Sequence, residues 1–442
     1  MAKRTGLTLY KISSNPYTMA NELIEQRMTL SEELAWRGFV NQTTYKDMSV
    51  LDGAPIAFYL GVDPSASSMT VGNLAVVMMV RHFIEHGHKA FLLVGGATGM
   101  IGDPDGKKQE RDLLTLEQIE ANKKAIAAQY KQVLAGQSFE VVDNYDWFKR
   151  IGYLEFLRDV GKHVPMRQML GRDFVQARLG EEGAGISYAE FSYSLIQGYD
   201  FLHLHRTKGV DLQICGADQW GNSVTGVDLI RRITGDEANV WSAPLVINKA
   251  TGVKFGKSEA GAIWLDENLT SVYQFYQFWL NVDDAGVEDY LKYYTMLSKD
   301  EITDVMTKFH SDKASRSAQK TLAYEVTKIV HGEKRADSVK RASEVLFGSA
   351  GYDTLMGDDF KLLEHELPVA NISLSDDLTA LLLNTGLAGS TSEARRFLQQ
   401  GAVYVNGQQL TSDKTLDKSD ILDKRYIMLR RGKNANALLK VG

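Results

Sequence analysis

The chain has 442 residues, 50 Lys+Arg against 56 Asp+Glu, a net charge of −6 and 44% hydrophobic residues. That is the composition of a folded globular protein of roughly two to four domains, and it excludes a disordered or collagen-like chain. The single cysteine, Cys215, excludes an intrachain disulfide framework and any multi-cysteine zinc site, and the longest apolar runs, such as Leu74–Val80, are far too short to span a bilayer, so a cytoplasmic protein without a membrane partner is expected.

Residues 1–50 read as an arm and a helix; TLSEELAWRG carries a Thr/Ser start and a Gly stop. The arm has no apolar core, so it is not a secretory signal. From residue 51 to 248 the pattern is α/β. Ile56–Leu60 reads as a strand, followed by the loop GVDPSASSMTVG and a helix from about Asn73 to His86. Ala90–Val94 is a second strand, leading into GGATGMIGDPDGKK and a polar helix from about Leu116 to Leu134. Phe139–Val142, Leu212–Ile214 and Pro244–Ile247 read as further strands. Short apolar runs alternating with helices predict a Rossmann-like, mainly parallel sheet with ligands at the C-terminal ends of its strands.

Residues 144–206 interrupt the alternation as an aromatic, helical insertion. Residues 249–347 read as a loop followed by an all-helical domain, 348–376 as an irregular connector, and 377–442 as a small α+β domain. In the last, STSEARRFLQQ has a Ser/Thr–Glu helix start and YVNGQQL an Asn-Gly hairpin turn. Residues 377–442 hold ten Lys+Arg against six Asp+Glu, a balance of +4 on an otherwise acidic body. A basic tail of this kind suits a polyanion.

Several motifs invite chemistry. The loop Gly95–Lys108 fits neither the P-loop spacing nor G-x-G-x-x-G. A plain strand-to-helix turn accounts for one or two glycines; five, with Asp103, Lys107, Lys108 and Arg111, point to close backbone approach to a ligand. His82-Phe-Ile-Glu85-His86 matches H-x-x-E-H, and helix residues four apart share a face, so a zinc hydrolase is one alternative. The pattern is short and Gly87 follows at once, so a solvated helix end is the simpler reading. His203 and His205 would share a face on a strand but lack a convincing third ligand. In Lys254-Phe-Gly-Lys257-Ser258, two lysines around Gly256 can bring ammonium groups to a phosphate.

Taken in order, Tyr59-Leu-Gly-Val-Asp63-Pro-Ser65, Thr70-Val-Gly72-Asn73, GGATGMIGDPDGKK, EFSYSLIQGYD (Glu190–Asp200), LQICGADQWGN (Leu212–Asn222) and KFGKS closely resemble bacterial tyrosyl-tRNA synthetases, a family of class I aminoacyl-tRNA synthetases. The resemblance runs from about Leu34 and includes an RNA-binding module at ARRFLQQGAVYVNG. It implies activation of tyrosine by ATP to tyrosyl-adenylate and pyrophosphate, then transfer to tRNA(Tyr). Carried over by position, Tyr59 and Asp200 would read the phenol hydroxyl, and Asp103, Tyr193 and Gln197 would hold the ammonium group. Gln219 and Asp63 would lie near the carboxylate. Gly61, Gly72, Gly216 and Asp218 would flank ATP. Lys107 and Arg111 would face pyrophosphate or the tRNA acceptor end. Lys254, Lys257 and Ser258 would serve the phosphates. The resemblance further implies Mg²⁺ with the ATP, no structural metal, a homodimer formed through the insertion around Asn144–Gly161, an anticodon-recognition role for the helical domain, and tRNA contacts at Arg395, Arg396, Arg430 and Arg431.

One departure stands out. The family's first signature has two histidines around a glycine, where this chain has Thr70 and Asn73. Both can donate to phosphate oxygens, and a helix N-terminus favours anions. The departure leaves an inactive RNA-binding relative as the alternative. The chemistry is coherent without the family: a substrate carboxylate needs no general base, only orientation and stabilisation of the charge developing on phosphate.

Overall fold

The computed structural model describes residues 28–104, 113–180, 185–258, 261–347, 350–410, 415–433 and 435–442. Six strands form the main sheet: β1 (Gln42–Thr43), β2 (Ala57–Val62), β3 (Lys89–Val94), β4 (Phe139–Asp143), β5 (Leu212–Gly216) and β6 (Asn239–Ala243), in the order β1-β6-β5-β2-β3-β4. All pairings are parallel except β1 with β6. The order reverses between β2 and its neighbours β3 and β5, which places a crevice at their C-terminal ends.

Helix Val71–Glu85 is apolar nearly all round, burying Val71, Leu74, Val77, Met78, Val80 and Phe83. A helix of that kind has to be covered on both sides. The sheet covers one side. The helices Leu30–Arg37 and Val287–Tyr294 cover the other. The helix begins at Val71 with Thr70 as its N-cap, two residues before the expected start.

Two strand assignments change. The fifth parallel strand is Asn239–Ala243, not Pro244–Ile247. Trp241 and Ser242 are fully buried, whereas Leu245 and Ile247 are exposed, and Ile247 only bridges Lys254, the first residue of KFGKS. The two-residue edge strand β1 carries too little pattern to be read from sequence.

The insertion is helical as expected: Tyr145–Phe148, Tyr153–Asp159, Met166–Leu170 and Asp173–Leu179 precede the long helix Tyr188–Lys208. His203 and His205 lie on that helix, not on a strand, so they point apart. His203 stacks on Trp147 with ring centroids 4.5 Å apart, and His205 meets Asp211 and Asp236.

His82 is also reassigned. It is completely buried, not part of a solvated helix end, because helix Leu30–Arg37 covers it. Glu33 faces it at 3.3 Å, lies 3.5 Å from His86, and holds Arg37 at 2.9 Å. Arg37 donates to the carbonyls of Lys292, Thr295 and Leu297, tying this helix to the helical domain. The arm through residue 27 lies outside the described residues.

The helical domain comprises Val272–Leu280, Val287–Tyr294, Lys299–Ser311, Ser317–His331 and Glu333–Phe347. It is preceded by a small hairpin, β7 (Lys257–Ser258) with β8 (Gly261–Ala262). The expected connector is more ordered than its sequence suggests. It holds helix Gly357–Glu366 and strand β9 (Val369–Ile372). β9 pairs in parallel with the last strand, β13 (Ala435–Val441), in a sheet ordered β11-β10-β12-β13-β9, where β10 is Val403–Val405, β11 Gln408–Gln409 and β12 Tyr426–Arg431. The C-terminal unit therefore begins before residue 377. Its helix Gly357–Glu366 docks it on the helical domain: Phe360 stacks on Tyr426 at 4.5 Å, and buried Asp359 accepts hydrogen bonds from Ser338 and Arg341. The Asn406-Gly407 turn has positive φ at both residues, 46° and 81°, as a tight hairpin requires.

Candidate active site

The crevice is a cavity of about 280 Å³ lined from β2, β5, the start of helix Val71–Glu85, helix Tyr188–Lys208 and the KFGKS turn. Tyr59, Gly61, Asp63, Thr70, Gly72, Asn73, Asp103, Tyr193, Gln197, Asp200, Gly216, Asp218, Gln219 and Lys254 all line it. Residues scattered over almost 200 positions thus converge on one site. Lys107 and Arg111 lie outside the described residues, and Lys257 and Ser258 are described by their backbone only.

At the inner end the Tyr59 hydroxyl and Gln197 Oε1 are buried and have no hydrogen-bond partner among the described residues. Burying such groups unpaired costs about 1–3 kcal/mol each, which marks a place built for a polar ligand atom. Asp200, 2% exposed, accepts from Trp147 Nε1 at 2.9 Å and Asn144 Nδ2 at 3.1 Å. Burial pushes its carboxyl well above the ordinary range, opposed by those two hydrogen bonds. Burial, and then the charge of Asp200, likewise pushes the Tyr59 phenol up.

Asp63 is held from two sides: Thr98 Oγ1 donates to Oδ1 and the Tyr193 hydroxyl to Oδ2, each at 2.6 Å. This close packing explains Gly95, where a Cβ would stand 2.3 Å from Asp63 Oδ1. Gly96 packs in the same way on Asp143, whose Oδ1 accepts its N–H at 3.1 Å. These two glycines therefore serve approach to the protein's own carboxylates, not to a ligand as their sequence suggested. Across the cavity, Gln219 Nε2 donates to Asp103 Oδ2.

The outer end is the helix start. Thr70 N–H and Thr70 Oγ1 both donate to Asn73 Oδ1, at 3.0 and 2.9 Å. The Thr70 proton is thus committed to Asn73, which corrects the expectation that both side chains donate outward. The KFGKS turn lies against this start: Gly256 has φ +97°, and a Cβ there would stand 2.6 Å from Val71 Cγ2. Phe255 is buried among Phe278, Trp279, Tyr290 and Tyr294 of the helical domain, stacked on Tyr290 at 4.3 Å. Lys254 Nζ stands 3.6 Å from Asp218 Oδ2.

Asn144, Trp147 and Thr98 were not singled out from sequence. The available signal was NYDW directly after a strand, where polar and aromatic side chains sit at the sheet's ligand-binding end. In the C-terminal unit the fold brings the basic pairs together: Arg396 and Arg431 both face the Phe397 ring, at 5.4 and 5.0 Å, and Arg430 lies over Tyr404 at 4.3 Å. Arg395 is exposed on the same helix as Arg396. Among the described residues no group of three His, Cys, Asp or Glu is placed to hold a metal, so the zinc alternative at His82 and His86 has no ligand set. No helix among them is long and apolar enough to cross a membrane.

Residues 51–348 match the family model of tRNA synthetases class I (W and Y). The chain belongs to this family. Residues 359–439 match a second model, the C-terminal domain of tyrosine–tRNA ligases. A tyrosine–tRNA ligase of Bacteroides fragilis is 44% identical over 92% of this chain and 98% of its own. The tyrosine–tRNA ligase of Geobacillus stearothermophilus is 42% identical over 93% of this chain and 100% of its own. The crystal structure of a C-terminally truncated mitochondrial tyrosyl-tRNA synthetase from Aspergillus nidulans superposes with a TM-score of 0.65, at 31% identity, over 73% of this chain and 96% of that one. Within the class I synthetases the chain is thus a member of the bacterial-type tyrosine–tRNA ligase branch, and none of these likenesses supports the inactive alternative.

Proposed function

We propose that the cavity activates L-tyrosine with ATP and that the chain then charges tRNA(Tyr). The observation that carries this reading is the buried, unpartnered Tyr59 hydroxyl beside Asp200 at the inner end of the cavity. A phenol entering there gives the Tyr59 hydroxyl a partner beside the Asp200 carboxylate, whereas phenylalanine leaves that hydroxyl unpaired. Tyr193, Gln197 and Asp103 hold the ammonium group, and Gln219 and Asp63 flank the carboxylate.

The tyrosine carboxylate oxygen forms a bond to the α-phosphorus as the bond from that phosphorus to the bridging oxygen breaks, and pyrophosphate leaves. No proton has to be removed. The chain's part is to overcome repulsion between two anions and to stabilise charge on the phosphates. The start of helix Val71–Glu85, Asn73, Lys254 and Lys257 do this, with Lys107 and Arg111 toward pyrophosphate. Gly61, Gly72, Gly216 and Asp218 shape the adenosine side. Mg²⁺ would be held mainly by phosphate oxygens and water and would supply charge neutralisation there.

The chain works as a cytoplasmic homodimer joined through the insertion, where Tyr153, Leu154 and Tyr188 are 63, 79 and 62% exposed. Large exposed apolar groups on one segment mark an interface. The arginines of the C-terminal unit and the helical domain engage tRNA. Tyrosine-dependent ATP–pyrophosphate exchange by the purified protein tests the reading, and absence of exchange would sink it.

A further inference from the structure

Arg172 lies in the insertion, just before helix Asp173–Leu179, and lines no part of the cavity. Its guanidinium nevertheless reaches the helix Trp220–Ile233. Nη1 donates to Asn222 Oδ1 at 2.5 Å, and Nη2 donates to the Gly221 carbonyl at 2.7 Å and to Thr225 Oγ1 at 2.5 Å. Asn222, 3% exposed, donates in turn from Nδ2 to Gln219 Oε1 at 3.2 Å. Gln219 donates from Nε2 to Asp103 Oδ2. Four side chains from three separate segments therefore form one line that ends in the amino-acid side of the cavity.

The two ends give this line a direction. A guanidinium has only donors and a carboxylate only acceptors, whereas each amide between them has one face of each kind. Turning Asn222 end for end would set its N–H groups against Arg172. Turning Gln219 would set its oxygen against Asp103. Only one arrangement of both amides satisfies every contact, and burial makes the wrong one expensive.

Resting on the tyrosine-activating reading, we infer that Arg172 is a positioning residue for the amino-acid pocket: it orients Asn222, which orients Gln219, which holds the Asp103 carboxylate toward the substrate ammonium group. Without the guanidinium, the Asn222 amide loses the contact that fixes its sense. Gln219 is then held in its sense from the Asp103 end alone. The ATP side of the cavity has no member in this line.

The experiment measures KM for tyrosine and for ATP separately in pyrophosphate exchange, with a thermal melt on each preparation. Wild-type protein without tyrosine-dependent exchange would overturn the activity reading itself. With wild type active, Arg172→Met should raise the tyrosine KM about tenfold, the scale of one lost charged hydrogen bond, and leave the ATP KM unchanged. Arg172→Lys, which keeps a donor-only end, should recover most of the loss; Arg172→Gln, which can donate or accept, should not. In the cycle with Asn222→Ala, the double variant should be no worse than Asn222→Ala alone. A normal tyrosine KM in Arg172→Met, an equal rise in both KM values, or additive losses would overturn the inference. If Arg172→Met does not fold, the comparison of Arg172→Lys with Arg172→Gln decides: equal tyrosine KM values for these two would overturn it.

Discussion

Thr70 Oγ1 donates to Asn73 Oδ1 at 2.9 Å, and the backbone N–H of Thr70 reaches the same oxygen at 3.0 Å. With its oxygen occupied twice, the Asn73 amide is turned so that its N–H₂ group is the part left to serve an anion. Asn73→Ala should therefore slow single-turnover adenylate formation more than Thr70→Ala does. Thr70→Ser, which retains the hydroxyl, should stay near wild type. Thr70→Ala should also cost about 0.5–2 kcal/mol of stability, as loss of a helix cap does. Single-turnover rates and melting temperatures on the same preparations check this; a greater loss in Thr70→Ala than in Asn73→Ala would show that Thr70 itself faces the phosphates.

Asp200→Asn keeps the shape of the inner end and removes its charge. Trp147 and Asn144 both donate to this carboxylate, so one of them would then meet an N–H₂ group. The tyrosine KM should rise, and the preference for tyrosine over phenylalanine should fall by about 5- to 150-fold, the value of a buried hydrogen bond of about 1–3 kcal/mol. Competition between the two amino acids in pyrophosphate exchange measures it. An unchanged ratio would assign the hydroxyl contact elsewhere.

The motif residues of this pocket were legible because its chemistry is concentrated in short, dense strings: EFSYSLIQGYD alone supplies Tyr193, Gln197 and Asp200. Asn144 and Trp147 were not, because their role exists only once β4 delivers them to Asp200, 53 or more residues further on. The strand at Asn239–Ala243 was hidden for a related reason. It is buried by contacts that include Ser242 with the N-terminal edge strand, while the more apolar run beside it is solvent-facing. Tertiary context overrode local pattern in both places. In the connector, β9 gains its strand identity only by pairing with the far end of the chain.

The cluster of Glu33, Arg37, His82, Glu85 and His86 predicts acid sensitivity. Burial holds the His82 imidazole below its ordinary value of 6.5, against the pull of Glu33. The unfolded chain therefore takes up that proton first, and the stability it contributes is complete above about 6.5 and declines as pH falls. For Glu33 burial opposes ionisation, but His82 and Arg37 more than offset it and bring the carboxyl from 4.5 to about 2. Its contribution is full above 4.5 and disappears as pH falls through about 2. Glu33→Gln should lower the melting temperature at neutral pH and flatten its decline below about pH 4.5. Parallel melting curves for the two proteins across that range would refute this.

Removal of residues 351–442 should leave pyrophosphate exchange within a few-fold of wild type, on the order of a surface change, while tRNA charging collapses. Charging by the full chain should also weaken steeply with added salt, as phosphate contacts demand. Equal loss of both activities would make the C-terminal unit structural. The cut belongs near residue 351, because a chain ending at Asp376 would keep β9 without the strand it pairs with.

Leu154→Asp puts a charge at the most exposed large apolar side chain among the described residues of the insertion, 79% accessible. It should convert a dimer of about twice 49.3 kDa into a monomer in light scattering. A wild-type particle already of monomer mass would dispose of the dimer.

Phe255 gives the KFGKS turn a second allegiance. Its backbone belongs to the strip that carries Lys254 and Lys257, yet its ring is lodged among Phe278, Trp279, Tyr290 and Tyr294 of the helical domain. Gly256, the next residue, is pressed against Val71 at the helix start. The turn therefore works as a lever with its fulcrum on the catalytic domain and its short arm in the helical one. A rotation of the helical domain would carry the backbone of this turn with it, Lys254 of the cavity lining included, and the indole of Trp279, 5.6 Å from the Phe255 ring, would register the movement as a change in fluorescence.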